Sequence, residues 1–127
     1  MKRLLSTLAV LLLLGASIAL AMQKSFDFTT GPGQNGRAWP ITFVGGKYYQ
    51  IIAKVRPAGW DPRGAVASMV QIRLIVFAPD GSQIADTGGH GGTASYSFRP
   101  PASGQYEVQV VIAAPLGALG KLTIIER

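Results

Sequence analysis

The stretch Gln105–Ala114, QYEVQVVIAA, decides how the rest of the chain is read. Tyr106, Val108, Val110 and Ile112 alternate with Gln105, Glu107 and Gln109, so one face of the segment is apolar and the other begins polar. Period two over this length is the signature of a strand with one buried face. The same signature recurs along the chain. KSFDFTT sets Phe26 and Phe28 against Ser25, Asp27 and Thr29, and KYYQIIAKVR gathers Tyr49, Ile51, Ala53 and Val55. MVQIRLIVFA gathers Val70, Ile72, Leu74 and Val76, and TASYSFR gathers Ala94, Tyr96 and Phe98. PITFV, QIADT and KLTIIER complete a set of about eight strands.

Glycine and proline punctuate these runs, and no amphipathic helix stands out between them. GPGQNG is expected to break the chain before PITFV. Gly45-Gly46 is expected to turn a tight hairpin, Pro79-Asp80-Gly81-Ser82 a β-turn, and PLGALG a turn into the last strand. Strands at this spacing predict an all-β fold, an antiparallel β-sandwich of Greek-key or jelly-roll type.

The N-terminus reads differently. Lys2 and Arg3 precede an apolar run that ends in Ala19-Leu20-Ala21. Basic start, apolar middle and small residues at the end are the order of a secretory signal peptide over residues 1–21. Gly15, Ala16 and Ser17 favour cleavage over retention as an anchor, although the run approaches the ~18–20 residues that span a bilayer. Cleavage leaves residues 22–127 as a single β-sandwich domain with no further membrane span, in a secreted or periplasmic location. The chain has no cysteine, so neither a lipid anchor on cysteine nor a disulfide is available to it. A domain of this size buries roughly two-thirds of its unfolded surface, enough for one core. The net charge is +6, but the basic residues from Lys24 to Arg127 are spread evenly. A nucleic-acid partner normally requires a basic stripe, and none is expected here.

From LIVFAPDGSQIADTGGHGGTASYSFRPPASGQYEVQV the order of features becomes specific. An apolar strand runs into a Pro-Asp-Gly turn, then a short strand and a glycine loop. A strand ending in Phe98, a Pro-Ala-x-Gly-x-Tyr corner and a long alternating strand follow. Over residues 69–114 this resembles the bacterial pre-peptidase C-terminal domain, with GOLD-type sandwiches as a near alternative. The resemblance implies a jelly-roll-like accessory module of secreted proteins rather than a catalyst. At the corner, Tyr106 is expected to bury its ring and bond its hydroxyl to an upstream carbonyl.

Candidates for chemistry are few. His90 is the only histidine and lies between two glycine pairs. With Asp86 and Ser95 or Ser97 it suggests a catalytic triad on paper, but no Gly-x-Ser-x-Gly elbow accompanies it. One histidine without cysteine falls short of a zinc site, so His90 is read as a turn residue. The carboxylates Asp27, Asp61, Asp80, Asp86, Glu107 and Glu126 are scattered, where glycosidase chemistry needs a facing pair. A weak calcium site is conceivable only around Asp80 and Asp86. No catalytic residue, cofactor or metal is therefore assigned.

Binding is left to surfaces. The longest irregular stretch, PAGWDPRGAVAS, places Trp60 beside Asp61 and Arg63, with Arg56 just before it. An aromatic flanked by both charge signs suits a carbohydrate or protein ligand, although a tryptophan folded back as a lid on the core is the competing reading. Trp39 is expected in the core. Ile75, Phe77 and Val111 occupy positions that should face water, as do Ile52 and Tyr48, so loops or a partner are expected over them. The resulting expectation is a non-catalytic binding or accessory module. The alternative is a self-assembling surface or filament subunit, a homo-oligomer joined through strand edges. Intact-mass analysis of protein exported by a bacterial host should find a chain beginning at Met22. Recovery of residues 1–21 in the membrane fraction would instead establish an anchor.

Overall fold

A computed structural model describes residues 23–58, 70–89 and 91–127. Eight strands run in order: β1 (Gln23–Thr30), β2 (Gly33–Phe43), β3 (Tyr49–Pro57), β4 (Gln71–Phe77), β5 (Gln83–Gly89), β6 (Thr93–Phe98), β7 (Gly104–Ala114) and β8 (Ala118–Glu126). There is no helix among the described residues. The strands form two four-stranded sheets, β1-β8-β3-β6 and β2-β7-β4-β5, antiparallel throughout. Successive strands alternate between the sheets except at the β4–β5 hairpin, which gives the two interlocked Greek keys of a jelly roll.

The alternation of QYEVQVVIAA is realised as expected. Tyr106, Val108, Val110, Ile112 and Ala114 on β7 are no more than 2% exposed. They face Ile51, Ala53, Leu122 and Ile124 of the other sheet within one core cluster. Full burial of each Val or Ile contributes about 1.5–3 kcal/mol. Phe43, Tyr49, Phe98 and Tyr106 meet edge-on at one end of this core, with ring centroids 4.7–6.0 Å apart.

Strand boundaries differ from the expected ones where a partner overrides local signals. GPGQNG breaks the chain only at Gly31-Pro32, because β7 offers a ladder position to every residue from Gly33 to Phe43. Pro40 is tolerated inside β2 because β2 is an edge strand. Gly45-Gly46 does not close a hairpin: β2 and β3 lie in different sheets, and the turn carries the chain across the sandwich. PLGALG turns only at Pro115–Gly117, since β1 and β3 flank Ala118–Gly120 on both sides. Similarly, β4 extends β5 through Gly88 and Gly89.

The turns fall at two ends. One end collects the β2–β3, β4–β5 and β6–β7 connections and is stitched shut. The Gly46 amide donates to the Pro100 carbonyl (3.0 Å) and the Gly45 amide to the Ser103 hydroxyl (2.8 Å). The Val44 amide donates to the Tyr49 hydroxyl (3.0 Å), and Arg99 donates to the Gly46 carbonyl (3.1 Å). The Tyr106 hydroxyl donates to the Ala102 carbonyl at 2.7 Å, the bond expected of the corner. Tyr106→Phe should cost about 1 kcal/mol, read as a melting temperature lower by roughly 4–8 °C in a domain this size. An unchanged melting temperature would show that the bond holds nothing.

Candidate functional site

The opposite end of the sandwich collects the strand ends that flank Gly31-Pro32, residues 58–70, His90 and Pro115–Gly117. Its side facing away from the core, on the β1-β8-β3 surface, is hollowed into a groove of about 680 Å³. Outward-facing residues supply its walls: Asp27 and Thr29 from β1, Leu119 and Lys121 from β8, Lys54 and Arg56 from β3. Phe28, Val55 and Gly120 line it from the core side.

Strand register explains this convergence. Asp27 stands opposite Lys121, Lys121 opposite Lys54, and Lys54 opposite Thr93, so four strands contribute one row. The next row toward the end is Thr29, Leu119 and Arg56. Gly120 makes the packing beneath possible: a β-carbon there would run into the Phe28 ring. Phe28 in turn stacks against Trp39 (5.2 Å between centroids), and Trp39 is half-buried at the rim of the core. The end of β3 is tied down by its Val55 amide, which donates to Gly92 (2.7 Å). Gly92 has φ +77, and a side chain there would strike the Val55 carbonyl. The Ala58 amide donates to the Gly117 carbonyl (3.1 Å), fixing where the 58–70 segment departs.

The electrostatics of the groove are uneven. Lys121 lies 3.9 Å from Asp27, both well exposed, a contact of little energetic weight. Lys54 and Arg56 have no ion-pair partner among the described residues. Most other exposed cations among the described residues are engaged, Lys24 excepted. Lys47 pairs with Glu126 (3.0 Å), whose hydrogen bond raises the lysine pKa above its ordinary value. Arg73 grips Asp86 through two nitrogens, and Arg127 donates to Gln50. Arg37 donates to the Thr29 carbonyl (2.7 Å), tying β2 to β1.

Of the residues expected at a binding site, Arg56 is placed in this groove. Trp60, Asp61 and Arg63 lie outside the described residues, as does His90. The proposed calcium acids are otherwise occupied. Asp80 accepts hydrogen bonds from the Ser82 amide (2.9 Å) and hydroxyl (2.6 Å), which hold its carboxyl below the ordinary carboxylate pKa. Asp86 is held by Arg73. No group of three or more His, Asp or Glu side chains suited to a metal occurs among the described residues.

Ile75, Phe77 and Val111 sit half-buried on the outer face of the β2-β7-β4-β5 sheet. Val111 stands between Arg73 and Gly36, and Ile75 between Gln109 and Asp86. Phe77 instead borders a second hollow with Pro40, Pro79 and Glu107. Tyr48 is exposed, with the Arg99 guanidinium 5.7 Å above its ring. Lys54, Lys121 and Leu119 were not singled out by the sequence. Their outward positions are legible in the alternation, but the register joining β3 to β8 is not.

No protein-family model matches the chain, and no curated protein matches its sequence. Solved structures share the fold. A subunit of the disulfide-linked pili of Bacillus endospore appendages overlaps with a TM-score of 0.52 at 10% identity, over 84% of each chain. A protein from Sulfurospirillum deleyianum overlaps with a TM-score of 0.51 at 10% identity, over 84% of this chain and 98% of its own. A looser overlap, TM-score 0.44 at 13% identity, is with TmCBM61 bound to β-1,4-galactotriose, over 81% of this chain and 70% of that one.

Proposed function

We propose that the protein is a non-catalytic binding module, exported by removal of residues 1–21, that works through the groove end of its jelly roll. The observation carrying this is the contrast between the two ends. One is closed by turn-to-turn hydrogen bonds and buried aromatic rings. The other combines a hollow, the cations Lys54 and Arg56 with no ion-pair partner among the described residues, and the departure points of the longest connection between strands. Ligand sites concentrate where long loops leave a rigid scaffold. Arg56 lies in the hollow, and Trp60, Asp61 and Arg63 follow it directly in sequence. The resemblance of residues 69–114 to pre-peptidase C-terminal domains supports an accessory role, since that segment supplies β4 to β7.

A second reading, a self-assembling subunit, draws on the edge strand β1, which is paired only on its β8 side among the described residues. Without cysteine, such assembly would have to be non-covalent. Lys24 and Asp27 place both charge signs on that edge, a pattern that discourages edge-to-edge pairing, so binding is the preferred reading.

The test is a panel of glycans, cell-wall polymers and secreted proteins probed with the mature chain. Trp60→Ala should weaken the captured interaction by at least ~1–2 kcal/mol and leave the melting temperature nearly unchanged. A loss of ~3–5 kcal/mol in folding stability would mark Trp60 as core instead. Size that grows with concentration, without capture of any ligand, would favour the subunit.

A further inference from the structure

Charge in the groove is arranged against the stability of the sheet. Lys54 and Lys121 stand directly opposite each other on adjacent strands, where like charges repel. Arg56 adds a third cation two residues along the same strand. Among the described residues the only carboxylate lining the groove is Asp27, loosely placed against Lys121. Two lysines could be replaced by any polar residue without loss to the core, since both side chains point outward. Among the described residues only Asp27 answers this charge, a pattern suited to a negative charge brought by a ligand.

We propose that this groove binds an acidic polysaccharide, a pyranose chain carrying carboxylates. The proposal rests on the binding-module reading above and specifies its ligand. Two features suit this class. The row of Asp27, Lys121, Lys54 and Thr93 alternates acceptor, cations and hydroxyl across neighbouring strands, and strand spacing of ~4.7–4.9 Å is on the scale of a sugar repeat. Asp27, Thr29 and Thr93 can exchange hydrogen bonds with sugar hydroxyls, while Leu119, half-exposed between them and Arg56, offers an apolar patch to a ring face. Arg56 supplies a planar fork for a carboxylate, and the two lysines supply mobile point charges beside it.

The experiment uses the mature chain with oligogalacturonate, its methyl-esterified counterpart, a single-stranded oligonucleotide and vesicles containing anionic lipid. Oligogalacturonate should bind at low ionic strength, weaken as salt is added, and outcompete the other three probes. The Lys54→Gln, Lys121→Gln double variant should lose at least about tenfold in affinity while melting at the same temperature or higher, because a repulsion has been removed. A structural role for the lysines predicts the opposite, a lower melting temperature with binding intact.

Absence of oligogalacturonate binding, unchanged affinity in the double variant, or preference for the oligonucleotide or the vesicles would each overturn the proposal. Failure here is separable from failure of the broader reading. A neutral ligand captured in a Trp60-dependent way but indifferent to the double substitution would refute the acidic ligand and keep the module.

Discussion

Everything in this structure depends on β7 holding its register between β2 and β4. Five residues, from Tyr106 to Ala114 on alternate positions, supply the centre of one inner sheet face. A slip by one residue would turn all five to solvent and Gln105, Glu107 and Gln109 into the core. That penalty fixes β7, and β7 fixes its neighbours: the full ladder from Gly33 to Phe43 forms because eleven residues of β7 await it. β8 does the same in the opposite sheet, between β1 and β3. With no disulfide to close the chain, the two inner faces must be this uniformly apolar.

Such a core leaves the two ends of the sandwich free to differ, and they do. At one end aromatic rings and short turns interlock, with Tyr106 and Tyr49 each bonding a backbone group as well as filling space. At the other, small residues and departing connections leave a hollow walled by cations. Pairing of β8 with β1 and β3 keeps the side chains of Lys54, Arg56 and Lys121 grouped, although no described carboxylate but Asp27 faces them. Fold likeness to an endospore appendage subunit fits the same scaffold, and the lack of cysteine separates this chain from disulfide-linked assembly.

Much of the fold was legible in the sequence because period-two alternation is a local property. The inner residues of β3, β4, β6 and β7 could be named from it, and so could the Tyr106 hydrogen bond. Strand ends were less legible: Gly33–Gly36 and Ala118–Gly120 have poor strand propensity and become strands only through distant partners. The same limit hid the groove. Its cations look evenly spread along the chain, and they converge only once β8 inserts between β1 and β3. Arg56 was reached for a different reason, its nearness to Trp60 in the chain. Nor was it legible that Asp86 is held by Arg73, which stands two residues from Asp86's own ladder partner Ile75, or that Asp80 is engaged by Ser82.

The most direct test of a ligand site at the groove end is the backbone amide spectrum of the mature protein during titration with oligogalacturonate. The expected perturbations centre on Lys54, Arg56, Leu119 and Lys121 and extend into residues 58–70, leaving Ser103, Tyr106 and the outer face around Ile75 and Val111 unmoved. Perturbations confined to the stitched end, or to the hollow beside Pro40 and Phe77, would contradict it.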